Sequence, residues 1–188
     1  MQTFWPITVT APEPALYASS VPVFLRYLGQ IGHLLGLAEH YVAQGNIAEP
    51  ALLGTVLASD MYPLVTQAEI AINFSLRASY PLAGLPIPPY GDFQPSLQSL
   101  RQRLARAHSL LRALESQSFV AAALRTIQAE AGQATHAMPA EQYLLHYAMP
   151  NFFFHTSMVY AILRHVGVPV GKADFDGFHA YGTEAAPY

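Results

Sequence analysis

Asn151 and His155 stand one helical turn apart in an otherwise apolar stretch, MPNFFFH, residues 149–155. Side chains four residues apart on a helix can reach a common point. The imidazole offers a nitrogen lone pair or a proton, and the amide offers an acceptor oxygen. Asp60, in the segment SDMYPLVTQ, would add a carboxylate. The three could surround a metal or the polar end of a ligand. Without a metal, His155 could serve as general acid–base with Asp60 orienting it, which makes these two the candidate catalytic residues. One imidazole with hard oxygen donors is a weak transition-metal set, because zinc usually takes more nitrogen or sulfur. No tightly bound metal is therefore expected. The same residues also have a purely structural reading. An unmet buried polar group costs about 1–3 kcal/mol, so Asn151 and His155 could bond to Asp60, to Gln67 or to a buried water.

Further residues could line a ligand beside this spot. Tyr62 and Gln67 share the Asp60 segment, and His146 precedes His155 by nine residues. On an ideal helix that spacing turns His146 away, unless a kink at Pro150 brings it round.

These side chains need helices to position them. A first long helix is predicted from Ser20 as N-cap, with Pro22 in its first turn. Phe24, Leu28, Ile31, Leu35, Ala38 and Val42 form its buried stripe, and Gly45-Asn46 ends it. Gly29, Gly32 and Gly36 make a second stripe that calls for close approach by another helix or room for a ligand. His33 and His40 read as exposed. A short helix is predicted over Pro50 to Ala58. The next helix follows Ser59 or Asp60 as cap, with Pro63 in its first turn or at a kink, and places Asp60, Leu64, Gln67, Ala71 and Phe74 on one face. YPLAGLPIPPYGDFQP is a crossover rich in proline and glycine. A third long helix starts at Ser96 with Leu97, Leu100, Leu104, Ala107, Leu111 and Leu114 inward. Helical periodicity is then lost around Gly132, where a short β-hairpin is one reading. A last helix runs from about Ala140 to His165, kinked at Pro150 and stopped by Gly167 and Pro169. Its stripe is Asn151, His155, Val159, Ile162 and Val166. Phe153, Tyr160 and Arg164 face the other way. Four long helices with one long crossover describe an all-α four-helix bundle.

The chain of 188 residues is 52% hydrophobic and only 11% charged, with a net charge of −3. So little charge leaves apolar surface for a partner subunit or ligand to cover. A homodimer is expected, with the last helix at or near the interface, and a small apolar molecule could fill a cavity between helices. Nucleic acid is not expected as a partner. Arg101, Arg103, Arg106 and Arg112 read as a solvated helix face on an acidic chain. No cysteine is present, which fits a reducing, cytoplasmic setting. The start, with Phe4 and Trp5 in an irregular arm over residues 1–14, does not read as a signal peptide. No apolar run approaches the ~20 residues of a membrane span.

YLLHYAMPNFFFHTSMVYAILRHVGVPVGKADF, with ASVPVFLRYL and DMYPLVTQ, resembles an uncharacterised domain-of-unknown-function family of the DinB/YfiT-like superfamily. The resemblance spans about residues 15–177 and leaves a C-terminal tail at 178–188. It implies an up-down-down-up bundle that often dimerises. It also implies a divalent nickel or zinc site of three histidines in relatives, some of which are thiol-dependent transferases or isomerases. Carried over by position, that site falls at or near Asp60, Asn151 and His155, and only His155 keeps the residue type. Two functions follow. One is a bundle that binds a small apolar molecule without cofactor. The alternative is a metal- or histidine-dependent enzyme of small-molecule metabolism, of transferase, isomerase or lyase type.

Overall fold

The computed structural model describes residues 13–180. The arm bearing Phe4 and Trp5 and the end of the tail lie outside them. Helices α1 (Ala15–Ala18) and α2 (Val21–Ala43) lead into the short α3 (Glu49–Leu53). Helices α4 (Leu64–Leu82) and α5 (Leu97–Arg112) follow, joined by the crossover. Two 3-10 turns precede an antiparallel hairpin of β1 (Thr126–Ala131) and β2 (Ala134–Pro139). The chain then passes through α6 (Ala140–Gln142), a π-helical turn (Tyr143–Ala148), α7 (Met149–His165) and α8 (Lys172–Asp176).

Contacts along the helices give their directions. Glu69 and Asn73 of α4 meet Arg103 of α5, and Tyr80 meets Leu110 further on, so these two run parallel. Gln67 meets His155, whereas Phe74 meets Tyr147, so α7 runs against α4. Phe24 packs on Phe152, and Tyr41 reaches Val166, so α7 runs with α2. The result is an up-down-down-up four-helix bundle. A 16-residue α5 can follow α4 in the same direction only because the crossover returns the chain along the bundle's length.

The predicted core stripes are buried over most of their length, with Val42, Leu104 and Val166 only half-buried. Phe24, Leu28, Ile31, Leu35 and Ala38 of α2 close on Leu97, Leu100, Ala107 and Leu111 of α5 and on Phe152, Val159 and Ile162 of α7. The glycine stripe is explained at two of its three positions. A Cβ on Gly32 would meet Leu104 at 3.3 Å, and one on Gly36 would meet Arg101 at 2.8 Å, whereas Gly29 faces open space. The hairpin closes at Gly132 with φ +61°, and β1 turns Ile127 and Ala129 inward. Gly167, at φ +92°, ends α7 as a left-handed C-terminal residue, and Val168 N–H returns to Leu163 C=O.

Four expectations are corrected. The short helix stops at Leu53, capped by Gly54, and does not reach Ala58. Helix α4 begins only at Leu64 with Pro63 as its cap. Proline disfavours helical geometry in the residue before it, so Tyr62 and Asp60 stay outside the helix and Asp60 leaves the predicted face. The last helix is interrupted ahead of Pro150 by the π turn. Proline has no N–H and crowds the carbonyl four residues back, here His146, and the wider turn accommodates it. Arg103 is buried, not solvated. Its Nη1 and Nη2 donate to Asn73 and Glu69, and its guanidinium lies 4.9 Å from the Phe93 ring centroid.

The outer face of α7 is partly covered from within the chain, and Phe153 and Tyr160 stay half-buried. Tyr27 of α2 meets Phe153 edge-on at 4.7 Å, and Phe175 of α8 meets Tyr160 at 5.8 Å. Helix α8 is fastened to α2 by His33 Nε2 and Asp174 Oδ1 at 2.7 Å and by Arg26 Nη2 donating to Asp176 C=O at 2.8 Å.

Candidate functional site

His155 projects from the buried stripe of α7 into the seam with α4 and is only 8% exposed. Its Nδ1 lies 2.7 Å from Gln67 Oε1. Gln67, 1% exposed, donates from Nε2 to the Tyr62 carbonyl at 3.1 Å. That second bond sets the protons. A flipped amide would put its oxygen against another carbonyl oxygen, so Oε1 faces the imidazole and Nδ1 is the donor. The ring packs nearly parallel to Phe74 at 6.2 Å and edge-on to Phe154 at 5.1 Å. Burial lowers the His155 pKa from its ordinary value of 6.5, because the low-dielectric seam disfavours the imidazolium.

A neutral imidazole with its proton on Nδ1 leaves a lone pair on Nε2. That nitrogen bonds to no described residue. The polar side-chain atoms that are sealed from solvent without a partner, among the described residues, are Ser79 Oγ and Arg103 Nε. Nε2 therefore keeps access to the surface.

Asn151 sits half-buried one turn earlier. Its Nδ2 donates to the Tyr147 carbonyl at 2.7 Å, so Oδ1 is left as an acceptor on the side of α7 that carries His155. The π turn brings Tyr147 into reach of Phe74, with ring centroids 5.9 Å apart. The other predicted residues do not join this pair. Asp60 is exposed in the turn before α4 and pairs with no described residue. The Tyr62 ring is 60% exposed, and it is the residue's backbone carbonyl that belongs to the network. His146 is exposed on the π turn. Of the alternatives open for His155, the direct partner is Gln67.

Sequence reasoning missed Phe74 and Phe154 as neighbours of the imidazole. The signal for Phe74 was present, because it lies seven residues after Gln67 on the same helical face.

The donor set does not fit a tight nickel or zinc site. It holds one imidazole nitrogen and one amide oxygen, and no group of three His, Cys, Asp or Glu side chains gathers among the described residues. Two acceptors with no donor opposite them fit a hydroxyl, an amine or a water better than a cation that needs three or four ligands.

The profile of a domain of unknown function, DUF1993, matches residues 16–176. The chain belongs to the DUF1993 family. The DUF1993 bundle is also similar to a crystal structure of a DinB family member protein from Shewanella denitrificans. The two are 30% identical over 89% of this chain and 94% of that one, with a TM-score of 0.78. No curated protein matches the chain. No helix among the described residues is long and apolar enough to cross a membrane.

Proposed function

We propose that this DUF1993 protein binds a small, largely apolar molecule bearing one hydrogen-bond donor, held at the α4–α7 seam by His155. The observation that carries this reading is the unpaired Nε2 lone pair of a neutral imidazole whose other nitrogen is tied to Gln67. Phe74 and Phe154 supply apolar contact around it, and Asn151 Oδ1 a second acceptor. A reachable acceptor that the fold leaves without a donor, set among aromatic rings, suits a ligand that brings one. Asp60 and Tyr62, both exposed beside the Gln67 contact in sequence, would lie at the mouth of such a site, and His146 further out.

Thermal-shift measurements with matched pairs, such as phenol and anisole, test this. The hydroxyl-bearing member should raise Tm more than its methyl ether, and the difference should vanish in His155→Phe. Equal shifts for both members, or a difference that survives in His155→Phe, would overturn the proposal.

The enzymic alternative uses the same atom. Nε2 could take a proton from a bound substrate, with Gln67 rather than Asp60 holding the ring. The homodimer expectation draws support on α7 from the half-buried Phe153 and Tyr160 and from the ring of Phe154, which is 51% exposed. Copies paired across that face should separate in Phe154→Glu. Light scattering that finds the unaltered chain monomeric at micromolar concentration would remove the dimer.

A further inference from the structure

A second site stands where the hairpin meets α4 and the crossover. A cleft of about 460 Å3 lies there, in the range of small-molecule sites, and Arg77, Glu130, Tyr90, Tyr143 and Ile87 are among the residues that line it. Its two charges are not paired with each other. The ion pairs among the described residues are His33–Asp174, Arg101–Glu39, Arg103–Glu69 and His179–Asp176. Neither Arg77 nor Glu130 takes part.

The guanidinium is fixed without being neutralised. Arg77 Nη2 donates to the backbone carbonyl of Glu130, not to its carboxylate. The guanidinium carbon lies 5.1 Å from the Phe74 ring centroid and 5.9 Å from that of Tyr147. Tyr147 Oη donates to the same Glu130 carbonyl at 2.7 Å, and Tyr143 Oη to the Arg77 carbonyl at 2.8 Å. Arginine carries five N–H donors in a planar fork that matches a carboxylate, and one donor is used here. Burial pushes the phenols of Tyr90 and Tyr143 up, with Arg77 opposing, so both stay neutral. The walls between the charges are Ile87 and the phenols of Tyr90 and Tyr143, with Gln128 and Thr135 adding polar groups on the hairpin side.

We infer that this cleft binds a small zwitterion with an apolar side chain, of the α-amino acid class, with its carboxylate on Arg77 and its ammonium facing Glu130. A simple anion would meet the Glu130 carboxylate, and a simple cation would meet Arg77. A molecule carrying both charges satisfies each. Tyr90, Tyr143 and Ile87 then enclose its side chain.

Isothermal titration of the full chain with phenylalanine, phenethylamine and 3-phenylpropionate tests this. Phenylalanine should bind, and each truncated analogue should bind at least about tenfold more weakly, or 1.4 kcal/mol. Glu130→Gln should weaken phenylalanine and strengthen 3-phenylpropionate, because it removes an attraction for the one and a repulsion for the other. Arg77 also fastens the hairpin, so its removal could loosen the fold. Ile87→Trp at the exposed rim blocks the cleft without touching the Arg77 bonds and should abolish binding. His155→Phe should leave it intact, which separates this site from the α4–α7 seam. No saturable heat at a concentration on the order of 10 mM, equal binding of the three compounds, or unchanged binding in Ile87→Trp would each overturn the inference.

Discussion

Arg103 on the α4–α5 seam and His155 on the α4–α7 seam are buried to the same degree, 8% exposed each. Both are polar residues among aliphatic and aromatic neighbours, yet they are finished differently. Arg103 spends its two terminal nitrogens on Asn73 and Glu69 and stacks on Phe93. Its Nε is left without a partner, but that atom is sealed from solvent, so it is a cost and not an opening. His155 spends one nitrogen on Gln67 and keeps the other open. Burial of a polar residue is thus no mark of function by itself. What distinguishes His155 is a reachable valence that the fold leaves unused.

The largest effect expected from testing this contrast is at the charged seam. Arg103→Leu removes hydrogen bonds to Glu69 and Asn73 and should lower stability by about 1.5–3 kcal/mol in urea unfolding. Because Glu69 is partly exposed, with 29% of its side chain accessible, the loss should fall short of that for a fully sealed ion pair. A change below about 0.5 kcal/mol would return Arg103 to a solvated face.

Gln67→Leu comes next. It orphans His155 Nδ1 and the Tyr62 carbonyl and should cost about 1–3 kcal/mol. Adding His155→Phe should recover part of that loss, because both partners of the bond are then gone. Strict additivity of the two changes would mean that they do not interact.

Acid sharpens the contrast further. The folded pKa of His155 lies below its unfolded value of 6.5, so the unfolded chain binds the extra proton. Its contribution to stability is complete above pH 6.5 and is lost as the pH falls from there towards the folded pKa. The slope from one such group cannot exceed about 1.4 kcal/mol per pH unit. His155→Phe should flatten the stability profile in that window, whereas Arg103→Leu should not. Identical profiles for wild type and His155→Phe would show that the imidazole does not titrate differently on folding.

The smallest effects concern the inherited metal position. Nickel or zinc well above micromolar concentration should leave Tm unchanged, whereas a ligand at a hundred times its dissociation constant would add ~2.7 kcal/mol. Asp60→Asn should change stability by less than about 0.5 kcal/mol, as for an exposed residue without partners. A metal-dependent rise in Tm that Asp60→Asn removes would put Asp60 back beside His155.

Much of the scaffold was legible in the chain. The 3–4 spacing of Phe24 to Val42 and of Leu97 to Leu114, the glycine before proline after His165, and the long crossover all follow from local periodicity and stop signals. The His155 stripe was legible for the same reason, since Val159 and Ile162 repeat it. Asp60 was misplaced because a helical wheel was extended back through a proline, whose effect on the preceding residue outweighs the pattern. Arg103 was misread because composition treats arginine as surface, while Glu69 and Asn73, some thirty residues earlier, make its burial tolerable.

By itself the sequence determined four long helices, their inward faces, and Asn151 and His155 on one of those faces, because side-chain direction on a helix is set by residue spacing alone. Only the tertiary structure decided who meets whom. It put Gln67, and not Asp60, on His155, spent Phe153 and Tyr160 on Tyr27 and Phe175, and brought Arg77 and Glu130 to one cleft unpaired. Such pairings depend on how elements distant in sequence pack, and a hydrogen-bond partner is chosen by the ångström separations that packing sets.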